Sequence, residues 1–237
     1  MSCEHEHHHG PSGGHGHDHG DDGRVPPVPT SVAQSLHGKI DLPHVTALNV
    51  ENPPDEVLKI FRNSSQRYEL KPVIKSDSDE QVIFHIPFIN SSVKLHSLVL
   101  RTNGSKYCPK TIKLFKNDRT VDFDNAESKV ATFTISHPQV GVLYDNDDDE
   151  LPDTIEQDSD FVEHHLPRHK FTGVQHLTLF VESVHGEEDQ SRFHYIDLRG
   201  EFTELTKDPV IAIYELAANP ADHKNVLQES VNFSVGN

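Results

Sequence analysis

The chain carries a series of short apolar runs of strand length, separated by residues that favour tight turns. Leu177 and Leu179 alternate with Thr178 and Phe180, a period of two that is typical of a β-strand with one buried face. Separators such as Asn103-Gly104 are turn-forming dipeptides. The runs begin at Val45, Gln81, Val93, Thr111, Ala131, Val174, Arg192 and Pro209. This pattern predicts an all-β antiparallel sandwich rather than alternating strands and helices.

One segment, Asn52–Asn63, departs from the strand pattern and predicts a short helix. Asn52 is a candidate N-cap, two prolines occupy the first helical positions, and acidic residues follow in the first turn. Val57, Ile60 and Phe61 recur at helical spacing, so we expect them to face the core.

Composition divides the chain into a tail, a body and a second short tail. Residues 1–30 are rich in His, Gly, Asp and Glu and end in a proline-stiffened spacer, so we expect this N-terminal tail to be disordered. Residues 31–223 hold the apolar runs and form one predicted domain, for which we expect a monomer. Residues 224–237 lack a consistent period, and we expect them to fray.

The N-terminal tail holds the strongest metal-binding signal of the sequence. Neutral imidazoles on a flexible chain bind zinc, nickel or copper, but their many equivalent arrangements make such binding weak and unselective. We therefore expect weak divalent-metal binding by the tail, and no cofactor in the body. The histidines concerned are His5, His7, His8, His9, His15, His17 and His19.

Charge and cysteine content exclude several classes of function. The formal net charge of −17 disfavours nucleic acids and anionic membrane surfaces, because binding to either depends on Lys and Arg. No apolar stretch approaches the roughly 18 residues of a membrane span. Cys3 and Cys108 form no CxxC motif, so thioredoxin-type chemistry has no dithiol. We expect an intracellular protein of cytoplasm and nucleus.

The sequence lacks the common catalytic motifs, which predicts a protein without enzymatic activity. No GxSxG, HExxH or phosphate-binding glycine loop occurs, and pairs such as His164-His165, or His194 with Glu201, follow from the high histidine content alone. The acidic stretch 144–160 lacks the glycine and terminal glutamate of a calcium loop and is interpreted as a solvated loop. The strand histidines predicted to be solvated or satisfied within the sheet are His85, His96, His176 and His194.

Gly200 interrupts the alternating run that begins at Tyr195. A glycine inside a strand marks a bulge or a close backbone approach, so we interpret Leu198–Glu201 as a strand corner. Such a corner would place Arg199 and Glu201 on one outer face, where they pair with each other or bind a partner. A structural corner is the favoured interpretation, and the partner contact remains the alternative.

Several of these runs, taken together and in order, resemble the PITH family, the proteasome-interacting thioredoxin domain. The similarity spans roughly Leu36 to His223, and the segments that carry it are KIDLPHVTALN, SDSDEQVIFHIPF, VKLHSLVLR, PKTIKLFKN, FHYIDLRGEFTEL and DPVIAIYELAANPADH. The resemblance implies a jelly-roll-like β-sandwich similar to galactose-binding-like modules. Relatives carry the domain behind a thioredoxin domain and associate with the 26S proteasome. Here a His-rich tail stands in place of the thioredoxin domain, so redox activity is not expected.

The resemblance marks positions where a partner contact can be tested, but it assigns no role to them. We expect a protein-interaction module, with the proteasome as the candidate partner and a small-molecule or sugar-binding module as the alternative. The absence of Trp argues against a sugar platform. Arg199→Ala and Glu201→Ala are expected to keep the melting temperature while weakening partner binding. The candidate contact residues, taken from the most family-like segments, are Arg199, Glu201, Phe202, Asn219, Asp222 and His223.

Overall fold

The computed structural model of the protein describes residues 29–89, 91–144 and 150–204. Most of the predicted N-terminal tail, the predicted strand that begins at Pro209, and the C-terminal tail lie outside the described residues. Within the described part, the strands are β1 (Thr46–Leu48), β2 (Ile74–Lys75), β3 (Val82–Pro87), β4 (Ser91–Thr102), β5 (Pro109–Lys116), β6 (Phe133–Ser136), β7 (Phe161–His165), β8 (His176–Val184) and β9 (Arg192–Glu204).

The strands form two antiparallel sheets. One sheet has the order β1-β3-β8-β5-β6 and the other has the order β2-β9-β4-β7. The chain crosses from one sheet to the other several times between β2 and β9, as the strands of a jelly roll do. The predicted all-β antiparallel sandwich is therefore confirmed.

The main core lies between the two sheets and follows the period-two pattern of the sequence. Leu177, Leu179 and Val181 of β8 pack there against Leu98 and Leu198 of the four-stranded sheet. The alternate residues of β8 point to the outer face of the five-stranded sheet. A second, smaller apolar cluster lies on that outer face and comprises Ile83, Phe115, Val121, Ala126 and Phe180.

The predicted helix is present but is divided into two turns of different kinds. The α-helix α1 covers Pro54–Val57, and a 3₁₀ turn continues over Leu58–Phe61. Asn52 is not the N-cap: its amide donates to Glu56 Oε2 at 2.9 Å, and Pro53 occupies the cap position. The other 3₁₀ turns are Val32–Gln34, His37–Lys39, Leu42–His44, Ser64–Gln66 and Asp158–Asp160. No described helix is long and apolar enough to span a membrane.

β9 does not turn a corner at Gly200, so the corner interpretation is wrong. The strand runs unbroken through this residue, and the irregularity lies on its neighbour β4, where His96 is the extra residue of a bulge. The glycine is needed for close approach, because a Cβ at position 200 would lie 2.0 Å from the Lys94 carbonyl oxygen. The close-approach part of the interpretation is therefore confirmed.

Replacing Gly200 with alanine should destabilise the protein by about 1–3 kcal/mol, because β4 and β9 must separate locally to admit the methyl group. Urea denaturation measures the change. Gly38→Ala is the matched control, since a Cβ there would meet nothing within 4 Å, and its effect should stay within about 0.5 kcal/mol. Equal stability of the Gly200→Ala and Gly38→Ala variants would contradict the close approach.

Candidate functional site

Three of the predicted contact residues lie in the described part of β9, and they divide between its two faces. Arg199 and Glu201 lie on the outer face of the four-stranded sheet. Phe202 lies on the inner side and packs partly against the core, with the Lys39 ammonium 3.9 Å from its ring centroid. Phe202 is therefore not a free aromatic platform. Asn219, Asp222, His223 and the seven tail histidines lie outside the described residues.

Arg199 is largely enclosed by its partners. Its side chain is 12% exposed, and its guanidinium lies 3.1 Å from Asp197 and 3.5 Å from Glu163. Asp197 is 2% exposed, accepts a hydrogen bond from the Ser35 hydroxyl, and has its pKa raised by burial. An Arg199→Ala variant would leave this buried carboxylate without its cation, which is destabilising. The expectation that Arg199→Ala keeps the melting temperature of the wild type is therefore revised.

Glu201 is much more exposed than Arg199. Its side chain is 56% exposed, and it lies 3.5 Å from Lys94 Nζ and 3.8 Å from His96 Nε2. Arg199 and Glu201 thus share a face, as expected, but each has its own ion-pair partner. Since Lys94 is also exposed, the Lys94–Glu201 pair is open to a partner protein.

Arg101 holds the segments that surround this site, and this role was not predicted from the sequence. This fully buried side chain of β4 donates to the carbonyl oxygens of Tyr68 at 3.0 Å and Ile155 at 2.8 Å. It also forms an ion pair with Asp160 at 2.9 Å. The only signal in the sequence is an arginine that directly follows the apolar run Leu98–Leu100.

The acidic stretch 144–160 is more than a solvated loop. Asp160 is buried against Arg101, and Leu151 packs in a small apolar cluster with Leu70, Val73 and Val142. Asp153 and Asp158 remain exposed. The interpretation as a solvated loop therefore holds for Asp153 and Asp158 and is wrong for Asp160. The sequence gives no sign of this burial, because an ion pair between residues 59 positions apart leaves no local pattern.

A small recess opens on the outer face of the four-stranded sheet, beside Arg199. Its volume is about 210 Å³. Strands β4, β7 and β9 supply its floor, and the two segments held by Arg101 supply one wall. The lining residues are Arg67, Val99, Asp158, Phe161, Glu163, Tyr195 and Arg199.

A second, larger recess of about 460 Å³ lies on the outer face of the five-stranded sheet. On its floor, His85 Nδ1 lies 3.0 Å from the Thr178 hydroxyl and 3.3 Å from His176 Nε2. The Arg119 guanidinium makes no hydrogen bond or ion pair with any described residue. The lining residues are Asp41, His44, Thr46, His85, Pro87, Arg119 and His176.

Of the four strand histidines singled out above, His96, His176 and His194 are buried, but the Nδ1 atoms of His96 and His176 make no hydrogen bond with any described residue, so only His194 is fully satisfied. His194 Nδ1 lies 2.9 Å from the Leu70 carbonyl oxygen, and its Nε2 lies 3.0 Å from the Tyr144 hydroxyl. His164 pairs with His137 at 2.7 Å rather than with His165. Burial lowers the pKa of His137 to about 3 and those of His164, His176 and His194 to about 4. These imidazoles are neutral at pH 7.

Neither a reactive thiol nor a metal site is found in the described part of the chain. Cys108 is buried, and burial raises the pKa of its thiol, so the nucleophilic thiolate is disfavoured. No group of three or more His, Cys, Asp or Glu side chains in the described ranges is placed to hold a metal ion.

Comparison with known proteins identifies the family. The sequence profile of the PITH domain matches residues 26–218. A PITH domain-containing protein of Drosophila melanogaster is 32% identical over 94% of this chain and 98% of its own length. Human PITH domain-containing protein 1 is 30% identical over 89% of this chain and 93% of its own length. The chain belongs to the PITH domain family.

Solved structures of carbohydrate-binding modules also resemble the chain. A module from a family 31 glycoside hydrolase of Clostridium perfringens aligns at a TM-score of 0.41 and 11% identity, over 71% of this chain and 96% of its own. The family 32 module of Streptococcus pneumoniae EndoD aligns at 0.43 and 10% identity, over 68% of this chain and 99% of its own.

The buried neutral histidines predict a loss of stability in mild acid. An unfolded histidine titrates at about pH 6.5, so the folded state, which holds its histidines neutral, loses stability as the pH falls from about 6.5 towards 4. Among the described carboxylates whose pKa is shifted, only that of Asp197 is raised, and it acts in the opposite direction. The melting temperature should therefore fall between pH 7 and pH 5.

Substitution of one buried histidine tests the cause. His164→Gln should make the melting temperature less dependent on pH, whereas His44→Gln, at a side chain that is 75% exposed, should leave the dependence unchanged. A melting temperature that is constant or rises from pH 7 to pH 5 would show that the histidines are not held neutral by the fold.

Proposed function

We propose that this protein is a non-enzymatic protein-interaction module that associates with the 26S proteasome in cytoplasm and nucleus. The observation that carries the proposal is the exposed Lys94–Glu201 ion pair on two strands, β4 and β9, that are paired along most of their length. A sheet holds such side chains at fixed positions, so their charges are presented to a partner without the cost of ordering a loop.

The chemistry of the described residues supports a role in binding rather than catalysis. Four imidazoles with strongly lowered pKa values are neutral, and each contacts other protein groups; they belong to His137, His164, His176 and His194. The single described cysteine is buried. Polar groups placed on a rigid surface, with no activated nucleophile beside a base, fit a recognition module.

Two observations support the proteasome as the partner: membership of the PITH family and the net charge of the chain. A chain with a net charge of −17 is attracted to a basic surface, and exposed ion pairs at the rim of an interface act mainly on the association rate. The association should therefore be weak and sensitive to salt. At an ionic strength of about 0.01 M the Debye length is about 30 Å, against about 8 Å at 0.15 M.

Charge reversal on the Lys94–Glu201 pair tests the proposal. Co-purification with proteasome subunits at low salt should fall by about tenfold in the doubly substituted Lys94→Glu, Glu201→Lys protein, which corresponds to about 1.4 kcal/mol. This protein keeps the internal ion pair with its direction reversed, so its melting temperature should match the wild type. Glu187→Lys, at an exposed position in the connection between β8 and β9, is the control for a charge change outside this face.

The control variant should co-purify as the wild type does after correction for its change of two charge units. Two results would contradict the proposal. The first is a wild-type protein that shows no enrichment of proteasome subunits at low salt. The second is an equal loss in the Glu187→Lys control, which would show that the loss is not specific to this face.

A small-molecule-binding module is the second candidate, favoured by the recess at Arg119. A concave site of this size with a few converging polar groups is typical of ligand-binding surfaces. Nuclear magnetic resonance titration of the wild type and Arg119→Ala proteins with galactose and with inorganic phosphate tests it. Shifts at Thr46 and His176 that require Arg119 would support this function, and their absence with both probes would contradict it.

A further inference from the structure

The floor of the recess beside Arg199 contains a tyrosine hydroxyl that makes no hydrogen bond within the described ranges. Tyr195 is 2% exposed, and its ring packs edge-to-face on Phe161 at 5.9 Å. Its hydroxyl makes no hydrogen bond with any residue that the structure describes, although it lines the recess. Buried tyrosine hydroxyls normally have a hydrogen-bond partner. Because this hydroxyl faces the recess, it is placed to meet a group that enters there.

The rim of the recess is formed by two ion pairs whose acidic members are the more exposed. Asp158 pairs with Arg67 at 2.9 Å, with side chains that are 73% and 26% exposed respectively. Glu163 pairs with Arg199 at 3.5 Å, with side chains that are 27% and 12% exposed. In each pair the guanidinium lies deeper than the carboxylate. An approaching molecule thus meets carboxylate oxygens first.

The arginines of the rim are held in place by further contacts. The Arg67 guanidinium lies 4.6 Å from the Tyr68 ring centroid and 5.6 Å from that of Phe161. The Tyr68 hydroxyl donates to Asp158 at 2.7 Å, so the wall is fixed by hydrogen bonds as well as by stacking. The recess is therefore shaped before any partner arrives, which lowers the entropic cost of binding.

We propose that the recess receives a lysine or arginine side chain of the partner protein. This deepens the function proposed above and rests on it. The alkyl stem would pack on Val99 and the aromatic floor, while the cationic end would donate to Asp158, Glu163 and the Tyr195 oxygen. A volume of about 210 Å³ suits one side chain rather than a drug-sized ligand. The net charge of −17 attracts the same basic surface at longer range.

The test uses the full-length protein and a tetra-arginine peptide as the probe, with a tetraglutamate peptide for comparison. Titrations followed by nuclear magnetic resonance at low salt should shift the signals of Val99, Phe161 and Tyr195 with tetra-arginine only. Tyr195→Phe removes one oxygen and keeps the ring, so it should weaken binding by about three- to tenfold with an unchanged melting temperature. Asp158→Asn should weaken binding by a similar factor.

Glu187→Gln removes one exposed charge at a residue that does not line the recess and is the control for general charge attraction. It should bind tetra-arginine within about twofold of the wild type, because an isolated surface charge contributes little. Equal affinity of Tyr195→Phe, Asp158→Asn and the wild type would overturn the proposal and leave non-specific attraction only. Tetraglutamate shifts at the same residues would also overturn it.

The failure of this inference differs from the failure of the proposed function. Peptide binding in the recess by a protein that enriches no proteasome subunits would support the recess as a basic-side-chain site and refute the proteasome as the partner. Conversely, undiminished co-purification of proteasome subunits by the Tyr195→Phe protein would overturn the recess as the contact for that partner.

Discussion

The buried guanidinium of Arg101 determines how the outer face of the four-stranded sheet is built. It binds the carbonyl oxygens of Tyr68 and Ile155 and the carboxylate of Asp160, which belong to two segments far apart in sequence. Removing one partner of a buried ion pair costs about 3–5 kcal/mol, because the other charge stays buried without compensation. The two segments are therefore strongly held against β4.

The position of these two segments defines the recess. The segment at Tyr68 brings Arg67 to the rim, and the segment that precedes β7 brings Asp158 opposite it. The contacts of Arg101 act as a clamp that holds the two segments against β4. Without this clamp, Val99 and the Tyr195 ring would form a flat, partly apolar surface. The clamp turns that surface into a shaped site with acidic groups outermost, which is the property that suits a basic partner.

The sequence predicts the sheets well because strand burial leaves a local, period-two pattern. Leu177 and Leu179 show it clearly, and the structure places both in the core. β7 was not predicted, since its sequence of Phe161, Val162, Glu163 and two histidines has no clean alternation, and all five residues are half-buried. The role of Gly200 was predicted only in part, because a close approach depends on the neighbouring strand β4.

The site was less predictable than the fold. Arg199 and Glu201 were correctly placed on one face, but the burial of Arg199 depends on Asp197 and on Glu163 in another strand. Tyr195 was not predicted to be a site residue, because the position of its hydroxyl in the recess depends on residues from other strands. Long-range partners of this kind are set by tertiary packing, and a single sequence does not encode them in any local period.

Hydroxyl-radical footprinting of the protein, free and bound to proteasomes at low salt, tests most directly whether the outer face of the four-stranded sheet is the partner surface. Phe161 and Tyr68 report on that face, while Phe123, which packs on Phe180 at the outer face of the other sheet, is the internal reference. Oxidation of Phe161 and Tyr68 should fall on binding while that of Phe123 stays constant. Protection of Phe123 with no change at Phe161 and Tyr68 would contradict the account.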